Sequence, residues 1–119
     1  EILGDGSQVR SYVYIDDALE ATIIAWRSLS SGFEVYNVGN DDWITVREVA
    51  DTIVDVMGLR SVRYVYKPIL HGVGWIGDVK RIALKIDRIK SLGWKPRLNS
   101  RGALAETAKR ILEEISVVR

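Results

Sequence analysis

Arg10 follows a glycine-bracketed turn, Gly4-Asp5-Gly6, and enters a run of β-branched and aromatic residues, VRSYVYI. A guanidinium there presents a planar fork of donors that fits two phosphate oxygens at once and stays charged at any working pH. The competing reading is a solvated arginine in a surface pair, which is where most arginines sit. A second group of candidates lies in the seventies. Asp78, just after Gly77, offers two acceptor oxygens suited to the vicinal hydroxyls of a ribose or sugar, or to capping a turn. Trp75 can stack on a ring, or serve as a loop anchor tucked into the core.

The spacing Gly72-x-Gly74-x-x-Gly77 matches the expression of a dinucleotide-binding loop. The mechanism behind that expression needs the first glycine at a strand end, a helix opening at the third, and an acidic residue about 20 positions on. Here Pro68 already breaks the strand, Asp78 would set a negative charge beside the pyrophosphate, and position 97 is Arg. The segment reads instead as a loop covering something else. His71 has no Ser or Asp pattern around it that would make it a base. The neighbours Asp41 and Asp42, and Glu113 and Glu114, read as solubilising charges rather than paired acids, since adjacent helical residues do not face one another.

The elements that must carry these residues alternate in type. After the opening turn a strand is predicted at 9–15, and Asp16 and Asp17 stand where they can cap the helical stretch DALEATIIAWRSL. FEVYNVG reads as a buried strand ended by Gly39, Asn40 and Asp41. Thr45-Val-Arg-Glu48 is a capping box opening a helix over 46–57, with Val46, Val49, Ala50, Ile53, Val54 and Met57 inward and Gly58 as its stop. VRYVYK at 62–67 is a third strand, and a glycine-rich loop runs on to Asp78. Asp87 can cap the short helix RIKSL. Ser100 starts a last helix that turns Ala103, Leu104, Thr107, Ala108, Ile111, Leu112 and Ile115 toward a core. The expected fold is therefore α/β, a mixed α+β arrangement with a small three-stranded sheet and about four helices, forming one domain over 1–119.

Composition excludes several function classes. Seventeen Lys and Arg balance 16 Asp and Glu, so no broad field draws nucleic acid or an acidic membrane surface. The absence of cysteine excludes thiolate zinc sites and a cysteine nucleophile, and one histidine does not make a metal cluster. Apolar runs such as YVYI fall far short of the roughly 20 residues that span a bilayer. The expected setting is the cytoplasm.

Taken in order, three segments carry a resemblance. GDGSQVRSYVYIDDALEA resembles the GDGxQxRDFxYVxDxxxA segment of the extended short-chain dehydrogenase/reductases, in their nucleotide-sugar epimerase and dehydratase branch. VYNVGNDDWITVREVADTI resembles that branch's YNxGxxxxxSxxELAxxI. GWIGDVKRIALKIDRIKSLGWKPRLNSRGALAETAKRI is similar to its closing stretch, GDxxxxxxDxxKxxxxLGWxPxxxxxxGLxxT. Together they cover nearly the whole chain.

That resemblance implies the C-terminal, substrate-binding lobe of a UDP-glucose 4-epimerase-like enzyme, without most of its Rossmann domain. It implies Arg10 on the diphosphate of a nucleotide sugar, a UDP-sugar foremost, and Asp78 near its ribose. Gln8, Trp75 and Ile82 complete the implied substrate-binding set, Ile82 at a position that faces the sugar pocket in some epimerases. The family often has a second phosphate-binding arginine where this chain has Trp75. NAD is implied as cofactor, bound by an N-terminal Rossmann half and not by this chain, and intact family members usually dimerise. None of the five tyrosines (12, 14, 36, 64 and 66) has a lysine four residues on, so the catalytic Tyr-x-x-x-Lys is not here and the chain by itself is expected to be inactive. The other readings are a dehydratase or reductase of the same superfamily, a stand-alone module that binds sugar nucleotides without catalysis, and a structural remnant assembling through bare apolar surface.

Overall fold

The capping box is present in both directions. The Thr45 hydroxyl accepts from the Glu48 amide at 3.1 Å, and the Thr45 amide donates to Glu48 Oε2 at 2.7 Å. Two otherwise orphaned groups at a helix start are thereby satisfied. The helix that follows, α2, spans Val46–Val56, and Gly58 stops it with a φ of 64°, a conformation that glycine adopts without strain.

The computed structural model describes residues 1–117. In chain order the elements are β1 (Ile2–Leu3), β2 (Val9–Arg10), α1 (Ile15–Ser28), β3 (Ile44–Thr45), α2, β4 (Tyr66–Lys67), a single 3-10 turn (Leu70–Gly72), α3 (Asp87–Ser91) and α4 (Ser100–Val117). The mixed α/β class and the four helices agree with the sequence reading. The strands differ. In place of one three-stranded sheet there are two separate ladders, β1 parallel to β4 and β2 antiparallel to β3, each two residues long. Only 9–10 of the expected strand at 9–15 and 66–67 of that at 62–67 are paired, and 33–39 runs outside any strand. A strand exists only where a neighbour takes up its amides and carbonyls. Among the described residues FEVYNVG has no such ladder partner.

Tyr36 and Val38 of that run instead pack on the core, whose centre is Ala21, Ile86, Ile89 and Trp94. Ala21 comes from α1, Ile89 from α3, and Trp94 from the turn that Gly93 opens. Asp17 ties these pieces together. Expected to cap α1, it lies inside the first turn, where its buried carboxylate accepts from the Arg97 amide (3.1 Å), Arg97 Nε (2.7 Å) and the Leu98 amide (3.3 Å). Its backbone carbonyl accepts from Trp94 Nε1 at 3.0 Å. One residue thus pins the Gly-Trp-Lys-Pro turn to α1.

Asp42 is likewise no mere solubilising charge. It accepts from the amide and hydroxyl of Ser100 at 3.0 and 2.6 Å, so it caps α4 from 58 positions away. Buried Asn40 beside it donates to the carbonyls of Tyr12 and Leu98, while Asp41 pairs with Lys90.

The assembly is a slab of 53 × 42 × 20 Å with a radius of gyration of 17.2 Å. A compact chain of this length would have about 13.5 Å. Apolar surface is accordingly left open. On α1, Ile15, Leu19, Ile23 and Trp26 stand exposed at helical spacing, and Ile111 and Ile115 are half exposed on α4, where they were expected in a core. No helix among the described residues is long and apolar enough to cross a membrane.

Candidate functional site

The opening turn and the glycine loop are tied together by backbone bonds. The Gly4 amide donates to the Lys67 carbonyl, the Asp5 amide to the Gly72 carbonyl and the Val9 amide to the Lys80 carbonyl, all within 2.8–2.9 Å. The loop therefore lies along the segment that carries Arg10. Close packing sharpens the fit at Gly74, where a Cβ would come within 2.9 Å of Leu3 Cβ and 3.0 Å of the Leu3 carbonyl carbon. Only a glycine lets the two backbones approach this closely.

Between them opens a cleft of about 380 Å³. Ile2 and Leu3 form one wall, Val46, Val49 and Ala50 of α2 another, and Gln8, Arg10, Tyr12, Trp75 and Asp78 complete it beside Glu1 at the rim. Four of the five expected site residues meet here. Ile82 does not line this cleft; its side chain is half exposed on the stretch beyond the loop.

The four residues present themselves in different ways. Arg10 Nη2 donates to Asp78 Oδ1 at 2.7 Å, and Nη1 donates to the Val9 carbonyl at 2.8 Å. Of its five N–H groups, three are without a protein acceptor among the described residues, and a quarter of the side chain is exposed. Trp75 is about half exposed, on a turn closed by the Asp78 amide donating to the Trp75 carbonyl at 3.2 Å. Gln8 and Asp78 are enclosed. Gln8 Nε2 donates to the Leu3 carbonyl and to Asp78 Oδ2, and Gln8 Oε1 accepts from the Gly6 amide. The Asp78 side chain has no exposed surface. The amide of Gly74, donated to Oδ2 at 3.1 Å, holds its carboxyl below the usual carboxylate range, and Gln8 and Arg10 reinforce this against the opposing cost of burial.

What the cleft can do follows from this arrangement. Arg10 is the one cation lining it among the described residues, and its charge is partly offset by Asp78. A single guanidinium with free donors suits one anionic oxygen cluster, and the apolar walls with an open indole suit a ring or a carbon framework. The neighbouring glycine loop departs in two respects from the strand-turn-helix arrangement of a dinucleotide-binding turn. β4 ends at Lys67, a 3-10 turn intervenes, and no helix opens until Asp87. The helix N-terminus that would face a pyrophosphate is absent from that position.

Neither the Gln8–Asp78 contact nor the acceptor role of Asp17 was visible from local sequence. Their partners lie 70 to 81 positions away.

Residues 1–39 match the model of the NAD dependent epimerase/dehydratase family. The UDP-glucose 4-epimerase of Mycolicibacterium smegmatis is 30% identical over 110 residues, 92% of this chain and 33% of that protein. GDP-L-fucose synthase 1 of Arabidopsis thaliana is 26% identical, over 89% of this chain and 31% of its own length. Among solved structures, UDP-glucose 4-epimerase of Thermotoga maritima with UDP-glucose superposes with a TM-score of 0.76 at 31% identity, covering 96% of this chain and 35% of that one. The chain thus spans about a third of the length of these relatives.

Proposed function

From its correspondence to a C-terminal third of UDP-glucose 4-epimerase-like NAD-dependent epimerases/dehydratases, we propose that this chain supplies the nucleotide-sugar grip of such an enzyme. Arg10 holds the diphosphate. Trp75 and the apolar wall of α2 bound the space beside it. The observation that carries the reading is Arg10 itself: a guanidinium with unused donors, at the edge of a cleft, in the segment 1–39 that matches the family.

The redox half of the chemistry is assigned to the rest of the intact protein. NAD, when bound, would take up and return the hydride. The glycine loop of this chain does not fit that cofactor, and no tyrosine here has the lysine partner of the family's proton-transfer pair. What this chain contributes is binding energy and orientation. A diphosphate fixed by a guanidinium sets where the sugar carbon sits, and positioning of that kind is a large part of catalysis.

A UDP-sugar is the first choice of substrate, and 4-epimerisation the first choice of reaction. Support comes from relatives at 30% and 31% identity whose names are UDP-glucose 4-epimerase. The similarity to a GDP-L-fucose synthase keeps a dehydratase or reductase of the same superfamily, acting on a GDP-sugar, as the second reading. The intact protein, supplied with NAD and a panel of UDP-, GDP- and dTDP-sugars, is expected to interconvert UDP-glucose and UDP-galactose. Turnover confined to a GDP- or dTDP-sugar would replace that assignment.

A further inference from the structure

Trp75 is mounted on a fixed stretch of backbone and left open to the cleft. Gly74 before it lies so close to Leu3 that a Cβ there would meet the Leu3 carbonyl carbon at 3.0 Å, and the Trp75 carbonyl accepts from the Asp78 amide at 3.2 Å. Trp94 shows how this chain treats a structural tryptophan: it is 2% exposed, and its Nε1 donates to the Asp17 carbonyl. Trp75 is 54% exposed and lines the cleft beside Arg10.

That cleft is poor in positive charge. Arg10 shares the lining with two carboxylates, Asp78 and Glu1, and no second cation lines it among the described residues. Lys67 pairs with Glu1 at 2.8 Å and Lys80 with Asp5 at 3.5 Å, both outside the lining. A diphosphate carries more charge than one guanidinium, itself bonded to Asp78, can match. Further affinity has to come from uncharged surface. An indole offers a broad flat face with only two side-chain torsions to immobilise, and rings stack on such a face whatever their polar edges carry.

We propose that Trp75 is the platform on which a ring of the bound nucleotide sugar stacks, so that the cleft holds its ligand by one cation and one ring contact rather than by a cluster of cations. The proposal rests on the nucleotide-sugar reading of Arg10. The nucleoside and the sugar both supply a ring of this kind, and two ligands separate them.

The test titrates the intact protein with UDP and with UDP-glucose at low and at high salt. Trp75→Ala is expected to weaken binding by about ten-fold, by the same factor at both salt concentrations, because stacking is not screened as ion pairs are. A loss with both ligands assigns the stacked ring to the nucleoside, and a loss with UDP-glucose alone assigns it to the sugar. Trp75→Phe should recover most of the affinity, while Trp75→Arg, which adds a second cation, should make UDP binding more salt-dependent than in the wild type. Ligand is also expected to change the tryptophan emission of the wild type and to change that of Trp75→Phe far less. Affinity for both ligands unaltered in Trp75→Ala, or an emission change undiminished in Trp75→Phe, would overturn the proposal. UDP affinity indifferent to Arg10→Ala would instead remove the reading on which it rests, an outcome distinct from a loss in Arg10→Ala with none in Trp75→Ala, which sinks the stacking alone.

Discussion

Arg10 Nη2 lies 2.7 Å from Asp78 Oδ1, joining a residue of the opening strand to one 68 positions later in the glycine loop. Through that bond the two segments form one wall of a cleft, and the charge balance of the cleft is decided there. A free guanidinium would attract any anion. One held by a covered carboxylate favours an anion that matches its remaining donors.

The α2 wall of the cleft depends on its cap. Thr45→Ala removes the acceptor for the Glu48 amide and is expected to cost about 1 kcal/mol, a fall of about 5 °C in Tm. Thermal unfolding followed by circular dichroism reads it directly. An unchanged Tm would mean that α2 is held by packing alone.

This cap was legible in the sequence because both its partners lie within four residues, and so were the four helices, whose apolar spacing is a local property. The ladders were not. Two-residue strands have no period to read, and β-type runs such as FEVYNVG look the same whether or not a neighbouring strand is present. The site was legible in part. Arg10, Gln8, Trp75 and Asp78 do gather, but that Gln8 and Asp78 face inward depends on partners brought together by the fold. Asp17 shows the same limit: the residue types admit a cap, and only the approach of Arg97 and Leu98 makes it a buried acceptor.

Asp17→Asn tests that acceptor. An amide nitrogen would face a donor where a carboxylate oxygen now accepts, and the expected loss is about 2–4 kcal/mol. Glu34→Gln, which breaks the exposed pair with Arg88, should cost no more than about 1 kcal/mol. Urea denaturation of both variants provides the comparison, and equal losses would contradict the assignment of Asp17 as the tie between α1 and the Trp94 turn.

Gly74→Ala would push a methyl against the backbone of Leu3. The loop must shift, and UDP affinity of the intact protein is expected to fall several-fold. Gly39→Ala, where the nearest atom is a Leu84 methyl at 3.4 Å, should leave UDP affinity as it was. Equal affinity in wild type and Gly74→Ala would show that the loop's place does not matter to binding.

Acid should loosen the same region. Amide donation from Gly74 holds the Asp78 carboxyl below the usual range, and donation from Thr45 does the same for Glu48. Because the folded values lie below the unfolded ones, this stabilisation is complete above the unfolded values and is lost as pH falls through the folded values. Tm is expected to hold between about pH 7 and 5 and to drop below about pH 4, with a shallower drop in Glu48→Gln. A steeper drop in that variant would reverse the sign assigned here.

Calorimetric titration of UDP into the intact protein and its Arg10→Ala and Arg10→Lys variants bears most directly on the nucleotide-sugar grip. Arg10→Ala is expected to weaken binding by about ten-fold or more, with Arg10→Lys restoring only part because a point charge lacks the fork. Undiminished UDP affinity in Arg10→Ala would contradict the account.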